Sequence, residues 1–206
     1  MDFVPLRDRL CRTALRHALA GCDTILDVGC GAASPLAAAR VTGRVWGIDV
    51  APVALAAARR LGFHAGLVRA DAAALGSVVR PRSVDAVVGL DLIEHFERAA
   101  ALAVVADLER IARRRVVLLT PNGFVPQPPA PDNPHQEHRS GFTPTDLRGI
   151  GYRVRGVYGL KWLLGPYAEC RVFPRVLWRR VSDLSAPLTA PLPALSFALL
   201  ATKDVC

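Results

Sequence analysis

The chain has 206 residues, 51% of them hydrophobic and 21% charged, and carries a formal charge of +8 at pH 7. That length buries a full core and that balance excludes a disordered or fibrous chain, so the sequence reads as one domain over 1–206. Five cysteines at 11, 22, 30, 170 and 206 are odd in number and contain no Cys-x-x-Cys pair, which speaks for free thiols in a reducing cytoplasm rather than a disulfide framework.

The first residues, Met1-Asp2-Phe3 and onward, alternate Arg with Leu and lack the uninterrupted apolar core of a signal peptide. No apolar run has the length of a membrane-spanning helix. Residues 4–20 place Leu6, Leu10, Ala14, Leu15 and Ala18 at helical spacing with Arg7, Arg9, Arg12 and Arg16 between them, which predicts an amphipathic cap helix. Ile25-Leu-Asp-Val28 then predicts a buried strand over 24–28. It closes on Gly29-Cys30-Gly31, a tight turn whose glycines let the backbone approach a ligand, and Ser34-Pro35 supplies a cap and a first-position proline for the next helix.

The alternation continues with helix 35–42, strand 44–49, helix 52–61, strand 65–70, strand 84–90, helix 97–113 and strand 115–120. Strands 152–158 and 195–203 follow, separated by a Pro-rich insertion. Such a pattern implies right-handed crossovers and an α/β, Rossmann-like doubly wound sheet, mostly parallel and covered on both faces. Asp49 lies at the end of the second strand, where this kind of sheet offers acceptors to ribose hydroxyls. A dinucleotide fits the turn poorly: Ser34 stands where the dinucleotide fingerprint has Gly or Ala, and Asp27 would set a carboxylate beside a pyrophosphate. An acid there suits a cationic ligand.

At this point the chain resembles the class I S-adenosylmethionine-dependent methyltransferases, whose first motif is an acidic residue followed by Gly-x-Gly, as in Asp27-Val-Gly-Cys-Gly31. Asp49 matches their ribose-binding acid and Asp71 the acid that accepts from the adenine amino group. Val84-Asp-Ala-Val-Val-Gly-Leu-Asp-Leu-Ile-Glu-His95 matches the fourth strand and its exit, and Arg115-Val-Val-Leu-Leu-Thr-Pro-Asn-Gly123 the fifth. Ala33 departs from the pattern, since many members have a third glycine there. The resemblance implies a seven-stranded sheet with an antiparallel last strand. It also implies S-adenosylmethionine as cofactor, held by Asp27, Gly29, Cys30, Gly31, Asp49, Val50, Asp71, Ala72 and Leu90. The rival on the same sheet is an NAD(P)-dependent reductase. A non-catalytic relative would show a damaged first motif or lack the ribose acid, and neither defect is present.

Chemistry belongs near the carboxyl ends of the fourth and fifth strands. In Asp91-Leu-Ile-Glu94-His95 a helical turn would bring Asp91, Glu94 and His95 to one spot, and Asn133-Pro-His135-Gln-Glu-His138 lies in a long loop of the kind that builds sites. Three roles stand open. His95 or His138, with Asp91 beside them, is a general base for a substrate hydroxyl. Alternatively Asp91, Glu94, His95 and His135 or His138 bind a divalent ion, magnesium being one candidate, for metal-assisted O-methylation of a vicinal diol. This pattern resembles the Glu-x-x-Glu-His set of ubiquinone-pathway and small-RNA terminal O-methyltransferases, with Asp91 in place of the first Glu. Finally, Glu94 and His95 cap a turn and shape the cofactor pocket.

Residues 151–206 hold eight Lys or Arg against three Asp or Glu. Within the insertion over about 160–193, Trp162, Tyr167, Phe173 and Trp178 interleave with Lys161, Arg171, Arg175, Arg179 and Arg180. That mixture suits an anionic or lipid-linked substrate, or peripheral contact with a membrane, and equally a lid whose aromatics pack on the sheet. Nucleic acid is disfavoured, because no RNA-binding module is present. With the Thr120-Pro-Asn-Gly123 loop and the His-rich segment, the chain resembles bacterial methyltransferases acting on sugars, glycans or secondary metabolites, so the acceptor expected is a hydroxyl.

Overall fold

The computed structural model describes residues 4–129, 133–165 and 169–205. Met1–Phe3, residues 130–132 of the long loop, Tyr167 of the insertion and Cys206 lie outside them. Seven strands form one sheet in the order β3-β2-β1-β4-β5-β7-β6. They are β1 (Thr24–Val28), β2 (Arg44–Asp49), β3 (Gly66–Arg69), β4 (Val84–Leu90), β5 (Ala112–Pro121), β6 (Arg153–Leu160) and β7 (Ser196–Asp204). The first five pair in parallel, and β7 runs antiparallel between β5 and β6. This is the expected Rossmann-like sheet with its antiparallel last strand.

Burial on both faces gives the central strands their continuous apolar runs. Leu26, Val28, Val87, Val116 and Leu118 point into one core with Leu75, Val104, Leu108 and Leu147. Ile25, Ala86, Val88, Val117 and Leu119 point into the other with Leu15, Leu36 and Ala39. The first core is covered by α4 (Leu75–Val78), α5 (Arg98–Ile111) and α6 (Pro144–Gly149). The second is covered by α1 (Leu6–Ala18), α2 (Pro35–Ala39) and α7 (Arg175–Thr189). Helix α3 (Pro52–Leu61) links β2 to β3.

Three helices were not anticipated from the sequence, the shortest being α4. Helix α6 begins with a capping box, in which the Thr143 side chain accepts from the Asp146 N–H and Asp146 accepts from the Thr143 N–H. Helix α7 takes up much of the second half of the insertion, with Pro174 before its first turn and Pro187 inside it. Helix α2 stops at Ala39, because Arg40 turns into the left-handed region at φ 52. Strand β5 begins at Ala112, three residues earlier than expected.

Candidate functional site

The carboxyl ends of β1, β2 and β3 build a cradle. Gly29 and Gly31 have φ of 70 and 60, so the turn after β1 needs glycine, and nothing lies within 4 Å of where a Gly31 Cβ would stand. The turn is tied to β2: the Gly29 and Cys30 N–H groups donate to the Ile48 carbonyl at 2.8 and 3.0 Å, and the Gly31 N–H donates to Asp49 Oδ2 at 2.8 Å. Asp49 Oδ1 accepts from the Ala51 N–H at 2.8 Å. Asp49 and Val50 remain half-buried beside the turn. Asp71, exposed after β3, uses Oδ1 to cap the turn over Ala72–Ala74, and its other oxygen has no partner among the described residues. Ala72 and Leu90 are buried behind these groups, and burial pushes the Cys30 thiol up to about 12, which marks it as an inert packing residue. An open glycine cradle with acids at successive strand ends fits a nucleoside bearing a cationic centre.

Asp27 is engaged elsewhere. Its Oδ2 lies 3.0 Å from His64 Nε2, and both side chains are 2% exposed. The sequence carried no signal for this partner, since His64 sits alone in the segment between α3 and β3.

The Asp49→Ala variant tests the cradle. It removes a charged acceptor of two backbone N–H groups together with the ribose contact expected from the sequence, so affinity for S-adenosylhomocysteine should drop by roughly 2–4 kcal/mol in calorimetry. Undiminished affinity would sink the ribose assignment.

The second cluster lies past β4. Asp91 turns into the left-handed region at φ 49, and a single helical turn forms only over Ile93–His95. Asp91 is therefore out of register with the face that carries Glu94 and His95. One ligand atom each from Glu94, His95 and His138 lie within 4.8 Å of one another; neither Asp91 nor His135 joins that group. The long loop after β5 brings His138 there. The Arg139 and Ser140 N–H groups donate to the Glu94 carbonyl at 2.8 and 3.1 Å, and Arg98 fastens the loop's end through the Gly141 carbonyl and Asp146.

The two imidazoles meet edge to face with centroids 5.0 Å apart. His95 Nδ1 faces the Glu137 carbonyl at 3.0 Å and His138 Nδ1 the Val125 carbonyl at 2.7 Å. A carbonyl only accepts, so in each neutral ring Nδ1 carries the hydrogen and Nε2 keeps a free lone pair. Burial holds both imidazoles below the ordinary histidine range, outweighing the opposing effect of the carbonyls.

Glu94 is 1% exposed. Its Oε2 accepts from Thr120 Oγ1 at 3.0 Å, while Oε1 has no partner among the described residues. Burial first and the Asp91 charge second push its carboxyl well above the usual range. Asp91 keeps solvent contact, yet enough protein surrounds it that desolvation raises it to about 6. Thr120 was visible only as part of a loop motif, and nothing in the sequence gave it this role.

Residues 25–115 match the sequence pattern of the family described as "Methyltransferase domain". No curated protein sequence matches the chain. Among solved structures, the magnesium protoporphyrin IX methyltransferase of Synechocystis PCC 6803 with bound S-adenosylmethionine is 16% identical. It aligns over 98% of this chain and 81% of its own, with a TM-score of 0.56. A methyltransferase dependent on S-adenosylmethionine from Archaeoglobus fulgidus is 17% identical over 95% of this chain and 94% of its own, with a TM-score of 0.57. The N-terminal domain of EvdMO1, solved in the presence of S-adenosylhomocysteine and D-fucose, is 14% identical over all of this chain and 85% of its own, with a TM-score of 0.59. These likenesses establish the shared fold.

Proposed function

We propose that the chain, whose residues 25–115 match a methyltransferase domain, uses S-adenosylmethionine to methylate a hydroxyl oxygen of a sugar, glycan or secondary metabolite. The observation that carries this reading is the pair of imidazoles past β4, each with Nδ1 facing a main-chain carbonyl. An alcohol must lose its proton as it attacks, and a fixed imidazole held in its neutral form accepts it. The bound cofactor supplies an electrophilic methyl group on a sulfonium centre. The protein's own part is to hold the acceptor in line and to take its proton. His95 or His138 serves as the base, Glu94 and Thr120 fix the turn that carries His95, and the cradle at Asp49 and Asp71 holds the nucleoside. The solved relative crystallised with D-fucose makes a sugar the first acceptor class to try.

The same geometry supports a second reading. Glu94, His95 and His138 form a two-imidazole, one-carboxylate set with an unpartnered Oε1, a donor set that suits a first-row transition ion. Magnesium, the ion expected from the sequence, takes oxygen ligands and fits this set poorly. Such an ion would lower the pKa of the acceptor hydroxyl.

The reaction is tested with methyl-labelled S-adenosylmethionine and a panel of sugars, phenols and carboxylic acids. Label in an alkali-stable methyl ether agrees with the proposal, and label confined to alkali-labile methyl esters overturns it. The pH profile is a further expectation. Because burial holds both imidazoles below the ordinary histidine range in the folded chain, turnover should hold constant through neutral pH and decline only on the acid side of that range; a decline that begins on the alkaline side of neutrality would contradict the assignment.

A further inference from the structure

Helix α7 is amphipathic in the opposite sense to the helices of the core. Its inner face is small and polar, with Ser182, Ser185, Ala186 and Thr189 buried against β6 and α1. Its outer face is aliphatic: Val176, Leu177, Leu184 and Leu188 are 73, 54, 67 and 73% exposed. At helical spacing these four fall on one arc opposite the buried residues. Phe173, 87% exposed, and Leu192, 55% exposed, continue the stripe at its two ends. An exposed apolar face of this extent, crossed by Arg180 between Val176 and Leu184, marks an interaction surface.

Its charge says what kind. Arg175, Arg179 and Arg180 stand exposed on the first turns, Arg171 lies just before them, and the first turn has no acid. Cations at a helix N-terminus oppose the helix dipole, so they do not serve the helix itself. Asp183, the acid of α7, is engaged by the Arg7 N–H at 2.7 Å. The surface thus presents aliphatic side chains among guanidinium groups that form no ion pair with the described residues.

We infer that the outer face of α7 docks on an anionic phospholipid surface, with the aliphatic stripe at the acyl boundary and the arginines at the phosphates. A second copy of the chain is the poorer occupant, because self-pairing would bring two arginine clusters together. The inference does not rest on the acceptor proposed above.

The test is co-sedimentation of the full chain with vesicles of phosphatidylcholine alone and of phosphatidylcholine mixed with phosphatidylglycerol, at low and high salt. Binding to the mixed vesicles only, weakening with salt, is the expected result. The paired variant Arg179→Gln, Arg180→Gln should bind these about thirtyfold less tightly, at about fivefold per cation. Leu184→Ser with Leu188→Ser should weaken binding tenfold or more even at low salt. Both variants lie outside the cofactor cradle, and retained S-adenosylhomocysteine affinity checks that they fold. No binding to phosphatidylglycerol vesicles, equal binding to neutral ones, or an undiminished leucine variant would overturn the inference. So would a dimer in light scattering that the leucine pair dissolves.

Discussion

Turnover of the His95→Ala variant is expected to fall about 10²–10⁴-fold while its affinity for S-adenosylhomocysteine stays unchanged. His95 does not belong to the glycine cradle, and its ring is held by the Glu137 carbonyl, so removing it leaves the nucleoside site standing. The companion variant His138→Ala separates the two chemical readings. If one imidazole is the base, one histidine variant is crippled and the other only impaired, and chelation leaves the wild type active. If Glu94, His95 and His138 share an ion, both variants fail alike, chelation abolishes turnover, and zinc, manganese or cobalt restores it. Full activity in both variants would remove the cluster from the reaction altogether.

The largest structural effect is expected at Gly159. Its φ is 75, and a Cβ there would lie 2.0 Å from the Ser182 carbonyl oxygen and 2.9 Å from Ser185 Oγ. Tyr158 before it also has a positive φ, of 68, and the pairing of β6 with β7 shifts register between Val157 and Leu160. This bulge lets the backbone of α7 press directly on β6, with Ser185 Oγ accepting from the Leu160 N–H at 3.1 Å. Gly159→Ala combines an unfavourable φ with a backbone clash that no rotamer relieves. A cost of about 3–5 kcal/mol follows, or roughly 10 °C in Tm by thermal denaturation. A Tm within about 2 °C of wild type would show that α7 is not seated as described.

The sequence made some of this legible and hid the rest for identifiable reasons. Strands β1, β4 and β5 were readable because burial on both faces leaves little except Val, Ile, Leu and Ala, and the cradle because Gly29 and Gly31 answer a backbone need that few other residues meet. The capping box at Thr143 and Asp146 was also present to be read, yet six residues give too short a period to stand out. Helix α7 escaped because two prolines bracket and interrupt it and because its apolar stripe faces outward, where periodicity arguments look for charge. At the candidate site, the i, i+3, i+4 spacing correctly joined Glu94 to His95. It failed for Asp91, whose left-handed backbone starts the turn two residues too late for that spacing to hold. The meeting of His138 with His95 depends on loop carbonyls and on the Glu94 main chain, which side-chain identity does not encode. The Asp27–His64 pair joins residues 37 apart with no motif between them.

The place of β7 between β5 and β6 also fixes an order of events during synthesis. Strand β6 has no sheet neighbour except β7, and β7 is made after it. A nascent chain that has reached about residue 190 therefore carries a five-stranded sheet with the outer edge of β5 bare and the β6 segment unable to dock. Such an open edge invites pairing with other chains. The emergence of residues 196–204 closes it in one step, joining both neighbours at once. Ribosome-bound chains stalled just before Ser196 should need chaperone cover, and those carrying an added C-terminal linker that lets Ser196–Asp204 clear the ribosome should not.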